Sequence, residues 1–331
     1  MGRRAADDLP QQLQAIRALA DAPDDAGLRT SLRTALRKKA APIAARAAAI
    51  VQNRQLTALV PDLVFAFERF LKNPVKRDPS CEAKRAILQA LDRLDHDDPE
   101  LFIRAARLVQ LEPAWGPPVD TAVPVRARAA LAIGRIYYPD ATLILSELLC
   151  DDASAVQRAA IESIAHRGDR AGAGLLWMRI RWRVPDEEAD PLVRSEAITA
   201  FVQLAPDYAA PLIAPMLYQE SADERELVAF AMATSRTRAA LDVLLSWWEQ
   251  AVMSGERGQV IDAIAAHRTE AAHRFLRDLV MDGAPHDAKR AIQALARQAF
   301  TEDAQQRLLT AAQAHPDNLG AFAEEQLKEN E

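Results

Sequence analysis

Residues able to hold a metal gather once in this chain, at Asp95-His96-Asp97-Asp98-Pro99. Carboxylates and an imidazole attract divalent cations, but ligand types adjacent in one turn read first as helix caps and solvated charge. The other histidines, His166, His267, His273, His286 and His315, are scattered near turns. No HExxH, CxxC or glycine-rich phosphate loop occurs, so no catalytic, cofactor-binding or metal-binding set is expected. Cys81 and Cys150 lie far apart in helical apolar patterns and read as buried, reduced thiols.

Surface recognition has more candidates than catalysis. Lys84-Arg85, Arg126, Arg128, Arg158, Arg194 and Lys289-Arg290 recur at the starts of similar segments. One per segment, they could form a basic ladder for an acidic partner or a phosphate backbone. Arg126 and Arg194 have a competing reading, bonding to turn aspartates such as Asp120 and Asp190 and stitching neighbouring segments together. Arg128, Arg158 and Arg290 are expected to be freer. Trp177-Met178-Arg179-Ile180-Arg181-Trp182-Arg183 alternates aromatic and basic residues. Trp177, Ile180 and Val184 share a helical face and read as core, leaving Arg179, Trp182 and Arg183 as contact candidates. Trp115 sits in Glu112-Pro113-Ala114-Trp115-Gly116-Pro117-Pro118-Val119-Asp120-Thr121, where a loop cannot easily hide an indole. It either projects or folds back as a lid. Trp247 and Trp248 are adjacent, so one is core with Leu244 or Leu245 and the other half exposed.

The elements that position these residues are repeated helices. In Val125-Arg126-Ala127-Arg128-Ala129-Ala130-Leu131-Ala132-Ile133-Gly134, the apolar residues Val125, Ala129, Ala132, Ile133 and Ile136 fall on one helical stripe. The design returns at Val156–Ile161 and Val193–Ile198, and in weaker form at Leu227–Met232, Val260–Ile264 and Ala288–Ile292. Small anchors Ala86, Ala129, Ala160, Ala197, Ala231, Ala263 and Ala291 mark the interval. With 67 alanines and 11 glycines in 331 residues, the chain favours helix throughout. A helix returning at near-constant intervals means a solenoid.

Along the chain, the pattern predicts an N-terminal cap helix at about 9–20 and helix pairs over about 25–328, in one array spanning 1–331. The first pair is 25–38 with 41–52, opened by Asp25 as a cap and joined near Pro42. An apolar helix at 55–72, kinked by Pro61, pairs with 80–94. The helix at 99–111 pairs with 122–136 across a Pro-rich insertion at about 112–121, which is expected to lack regular structure. The outer helices 140–149, 170–183, 207–218, 237–252, 269–281 and 301–314 then pair with 153–166, 190–204, 222–234, 256–267, 285–299 and 317–328. A second extended loop runs from Arg183 to Asp190.

This pattern resembles HEAT repeats, in which an acidic turn residue stands five before a Val-Arg pair. Here Asp120 precedes Val125-Arg126, Asp151 precedes Val156-Gln157, and Glu188 precedes Val193-Arg194. The likeness fades at the ends, where Leu227 lacks the charged partners, Ile261 follows Val260, and the first pair has Pro42-Ile43. The resemblance implies an all-α, right-handed α-solenoid of about nine stacked antiparallel helix pairs, on the order of 90 Å long, with the second helices lining its concave side. The metal-dependent deoxyhypusine hydroxylases share such repeats but need His-Glu dipeptides, and this chain has none. HEAT-like alkylpurine DNA glycosylases use a basic groove, which the arginine ladder matches only loosely.

The formal charge of −6 disfavours a dedicated nucleic-acid binder. It is uneven, with 19 Lys and Arg against 14 Asp and Glu in residues 1–110 and 22 against 33 in the remainder. No secretory segment and no run of 18 apolar residues occurs, so a cytoplasmic location without a membrane span is expected. The sequence thus points to a non-enzymatic scaffold that binds a partner protein along the concave face. Arg85, Trp115, Arg128, Arg158, Arg179, Trp182, Arg183 and Arg290 are the candidate contacts. The alternative is a nucleic-acid-binding protein using the same face.

Overall fold

Helices start in this chain where a short polar side chain or a proline meets an apolar stripe. The computed structural model describes residues 9–181, 190–219, 221–252, 254–299 and 301–330. Asp25 accepts from the Leu28 amide at 2.8 Å and opens one helix, and Asp98 accepts from Glu100 at 3.0 Å and opens another. Pro42 occupies the first turn of a third, where its missing N–H costs nothing.

The chain divides into two compact units, Met1–Arg167 and Gly168–Glu331. In the first, α1 (Leu9–Ala18) precedes α2 (Ala26–Leu36) and α3 (Ala41–Asn53). Next come α4 (Val60–Phe70), the short α5 (Pro74–Arg77) and α6 (Glu82–Arg93). α7 (Pro99–Ala106) leads through strands β1 (Leu111–Glu112) and β2 (Val119–Asp120) into α8 (Val123–Arg135). α9 (Ala141–Leu148) and α10 (Ser154–Arg167) close the unit. The second helices α3, α6, α8 and α10 stack one on the next, and each first helix packs on its own partner.

The second unit repeats the plan with α11 (Ala171–Arg181) and α12 (Pro191–Leu204), then α13 (Pro206–Ile213), which packs on α12, and α14 (Met216–Gln219), which packs on α15 (Ala222–Ser235). α16 (Arg238–Gln250) pairs with α17 (Ser254–His267), α18 (Glu270–Asp282) with α19 (Pro285–Ala296), and α20 (Glu302–Ala314) with α21 (Gly320–Lys328). The all-α helix-pair architecture is as the sequence predicts.

Alanine lets the layers approach. Ala129, Ala160, Ala197, Ala231, Ala263 and Ala291 are buried, but Ala86 is only half-buried, and Ala83 and Ala90 are the buried alanines of its helix. Larger side chains fill the space between paired helices. Phe67, Phe70, Phe102 and Phe201 are wholly buried, each contributing roughly 1.5–3 kcal/mol. Arginines tie consecutive pairs in the first unit by reaching back to bare helix-end carbonyls. Arg69 donates to the carbonyls of Leu36, Arg37 and Lys38, Arg167 to those of Ile133, Ile136 and Tyr138, and Arg54 to those of Ala20 and Ala22. In the second unit His267 and His315 also reach back to earlier carbonyls, His267 to that of the helix-capping Thr237 and His315 to that of Gly283 at a helix end.

Four local expectations are corrected. Pro61 does not kink a long helix; a 3-10 turn at Thr57–Leu59 precedes it, and Pro61 sits in the first turn of α4. The helix expected at 207–218 is split into α13 and α14, with Pro215 between them. Cys150 is exposed, because it lies just past the end of α9, whereas Cys81 is buried. The Pro-rich insertion carries regular structure: β1 and β2 form an antiparallel hairpin with Leu111 opposite Asp120 and Glu112 opposite Val119.

Candidate partner-binding site

The hairpin stands on a buried polar hub whose centre is Asp78. Ser80 and Cys81 adopt left-handed backbone, with φ of 58° and 54°, and this folds the chain back so that Asp78 reaches the start of α6. Its Oδ1 accepts from the Ala83 amide at 2.8 Å and its Oδ2 from the Lys84 amide at 2.9 Å. Lys84 Nζ lies 2.9 Å from the same Oδ2, and neither side chain is exposed. A buried ion pair is tolerable when hydrogen bonds satisfy its remaining lone pairs, as they do here.

Gln110 joins the hairpin to this hub. Its Nε2 donates to the Asp78 carbonyl at 3.0 Å and to Glu112 Oε1 at 2.6 Å. Glu112 Oε1 also accepts from Thr121 Oγ1 at 2.7 Å and from the Ser80 amide at 2.7 Å. Those donors, Thr121 first, hold the Glu112 carboxyl below the usual carboxylate range. Burial pushes the Cys81 thiol up, although its Sγ lies 3.7 Å from Thr121 Oγ1. On the other strand, Asp120 accepts from the Gln110 and Ala122 amides and from Arg126. Burial alone would raise Asp120, but these donors outweigh it and leave its pKa lowered. Arg126 continues into the next helix pair, with Nε 2.7 Å and Nη2 3.0 Å from the two oxygens of Asp151. Burial works against the charge on Arg126, yet Asp151 and Asp120 raise its pKa above the ordinary value.

The far end of the hairpin is the opposite of this base. Pro113–Pro118 form the connection, with Gly116 at φ +132°, a conformation that suits glycine. Trp115 is exposed to 107% of its reference area, so it does not fold back as a lid. Val109, Leu111 and Val119 are exposed on the arms below it. A rigid base thus presents a bare indole with apolar shoulders, the composition of a binding hot spot.

The arginine candidates divide. Arg85 is exposed on α6, while Arg128 on α8 and Arg158 on α10 are half-buried, so the three occupy consecutive second helices of the first unit. Arg128 is less free than expected: its Nη1 lies 3.7 Å from Asp92, which Arg135 also engages. Arg290, in the second unit, pairs with Asp262 on the preceding second helix. Arg126 bonds the turn residue Asp120 as expected, its stitch to the next pair runs to Asp151, and Arg194 reaches Glu224 of the next pair at 3.1 Å. Arg257 repeats this geometry on Asp287 at 2.8 Å.

Arg179 is half-buried in α11, and Trp182 and Arg183 lie outside the described residues, as does the loop expected after them. Ile180 is buried and Trp177 stacks on Phe201 at 5.5 Å, in keeping with a core face. Trp247 is wholly buried beside Leu244 and donates to Glu256 at 3.0 Å. The half-exposed Trp248 meets Phe275 edge-on at 5.8 Å and lies under Arg257. Asp98 in the 95–99 cluster serves as a cap, and among the described residues no group of three or more His, Cys, Asp and Glu is arranged to hold a metal.

Sequence reasoning missed the hub and the exposed shoulders of the hairpin. The signal was present as a period of two, in Val109-Gln110-Leu111-Glu112 before the prolines and Val119-Asp120-Thr121 after them.

Residues 119–181 match the family model of HEAT repeats. No curated protein matches the chain. Among solved structures, it is 14% identical to the complex of CpcE and CpcF of phycocyanin lyase from Nostoc sp. PCC7120, over 94% of this chain and 97% of that one, with a TM-score of 0.36. It is 15% identical to human deoxyhypusine hydroxylase in complex with glycerol, over 96% and 95%, with a TM-score of 0.28. An engineered protein is 16% identical over 97% and 95%, with a TM-score of 0.37. Likeness at these scores assigns no activity. The helix pairs identify the chain as a helical-repeat protein, and over residues 119–181 it is similar to HEAT repeats.

Proposed function

We propose that this protein is a non-enzymatic scaffold that binds a partner protein, and that Trp115 is the anchor of the contact. The observation that carries the reading is the contrast along one hairpin. Its base is locked by Asp78, Lys84, Gln110 and Glu112, while its tip leaves an indole entirely in water. Holding a large apolar side chain in place before binding lowers the ordering cost of association. Arg85, Arg128 and Arg158 on the second helices supply a polar flank to the same unit.

The test is site-specific. A photo-reactive phenylalanine analogue replaces Trp115 in the full chain, which is expressed in its native cell and irradiated. The expected result is a discrete protein adduct at position 115, with the same protein co-purifying with wild type and lost from Trp115→Ala. Absence of any adduct, or co-purification indifferent to Trp115→Ala, would overturn the proposal.

A further inference from the structure

Beside the hairpin lies a segment that the fold leaves positively charged. Lys72-Asn73-Pro74-Val75-Lys76-Arg77 leads directly into Asp78. Lys72, Lys76 and Arg77 are all exposed, as is Val75 between them. Among the described residues, neither Lys72 nor Lys76 has a carboxylate partner. Arg77 Nη1 donates at 3.2 Å to the Arg69 carbonyl, which leaves its charge uncompensated. Burial lowers the Arg69 pKa, and the nearby charge of Arg77 lowers it further.

Of the carboxylates near this segment in the chain or in the fold, Glu82, exposed at the start of α6, has no cation partner among the described residues, and the others are engaged. Glu68 pairs with Arg104, Asp78 is buried on Lys84, and Glu112 faces its three donors. The segment is also fixed in place. Asn73 takes a left-handed backbone before Pro74, and the Asp78 carbonyl and Ser80 amide are bonded to Gln110 and Glu112. Trp115 stands three residues beyond Glu112, at most about 11 Å of extended chain. These bonds set the three cations and the exposed Val75 next in the chain to the base of the hairpin whose tip carries Trp115.

We propose that this surface takes an acidic, apolar peptide segment of a protein partner: one hydrophobic side chain against Trp115, and Asp or Glu residues against Lys72, Lys76 and Arg77. This rests on the protein-binding reading above and adds the chemistry of the ligand. The surplus of cation beside an apolar anchor selects it, since a neutral or basic segment would leave the three charges unpaired or opposed.

The probe is a random dodecapeptide display library, selected on the full-length protein and counter-selected on Trp115→Ala. The expected consensus places two or more Asp or Glu residues around a single aromatic or large aliphatic one. A synthetic peptide of that consensus should bind at least tenfold more weakly to Lys72→Glu/Lys76→Glu, whose altered side chains make no bond within the fold, and more weakly as salt is raised. Arg77→Gln should weaken it in the same direction. A Trp115-dependent consensus without acidic residues would overturn this inference and leave the protein-binding reading standing. So would an acidic consensus indifferent to the lysine changes. Recovery of no Trp115-dependent peptide would also overturn it, with the adduct at position 115 then deciding the broader reading separately. Tighter binding to vesicles of equal phosphatidylcholine and phosphatidylserine, or to a uridine oligonucleotide, than to any selected peptide would overturn it in favour of a different ligand.

Discussion

Lys84 Nζ and Asp78 Oδ2 lie 2.9 Å apart with neither side chain exposed, and the hairpin that carries Trp115 hangs from that pair. Removing one partner strands a charge in the interior, which costs about 3–5 kcal/mol. Lys84→Met should therefore lower stability by that order in urea unfolding. It should also speed amide exchange at 78–84 and 110–121. Asp78→Asn combined with Lys84→Met should recover part of the loss, because the double change leaves no unpaired charge. A Lys84→Met protein within about 1 kcal/mol of wild type would show that the pair does not organise the hub.

His267 makes the second unit sensitive to acid. The ring is 1% exposed and sits between Thr269 Oγ1 at 2.8 Å and the Thr237 carbonyl at 3.0 Å. Burial lowers its pKa, the Thr237 carbonyl opposes that shift, and Arg236 adds to it. A histidine whose folded pKa lies below the unfolded one binds its proton more readily when unfolded. Its contribution is therefore whole above the unfolded pKa of about 6.5 and is lost as pH falls below it. Unfolding followed from pH 7.5 down to 5 should show stability falling by up to about 1.4 kcal/mol per pH unit for this one proton. His267→Gln should be less stable at neutral pH and should flatten that slope. An unchanged slope would exclude His267 as its source.

The helix pairs were legible because burial of one face imposes a period on the residues, and Ala129, Ala160 and Ala197 display it. The Arg126–Asp120 bond was legible from spacing, since both lie within one turn-and-helix unit. The Asp151 half of the same arginine's bonding and the Asp92–Arg128 pair depend on neighbouring units being stacked, and no local pattern encodes that register. The hairpin was masked by Pro113, Pro117 and Pro118, which argue against strand at their own positions but not on the arms either side. Nothing local marks Lys72, Lys76 and Arg77; it is Gln110 and Glu112 that place the hairpin against the residues that follow them.

Trp115 should report its own exposure. A side chain wholly in water contributes little to folding, so Trp115→Phe should leave stability within about 0.5 kcal/mol of wild type. Iodide quenching of tryptophan emission should lose its most accessible component in that variant, whereas Trp247, wholly buried, contributes to the unquenched remainder. Equal quenching in both proteins would mean that the indole is covered in solution.

Gly134 is the clearest test of how closely the first unit's second helices must approach. It lies inside α8, where glycine ordinarily costs about 1 kcal/mol relative to alanine, so Gly134→Ala would stabilise an isolated helix. Packing against α10 reverses the expectation. A Cβ at 134 would stand 2.7 Å from Ser163 Cβ, 2.9 Å from its Oγ and 3.0 Å from its Cα. The serine cannot swing away: it is buried, and its Oγ lies within hydrogen-bonding distance of the carbonyls of Ala130 at 2.9 Å and Ala159 at 2.8 Å. Gly134→Ala should therefore destabilise the protein by roughly 1–3 kcal/mol through overpacking. Ser163→Ala should not rescue it, because the obstructing Cβ remains. Ser163→Gly in the Gly134→Ala background should restore part of the loss despite adding a second helical glycine. Thermal melts of the four proteins decide it: a neutral or stabilising Gly134→Ala would mean that α8 and α10 pack further apart than this contact requires.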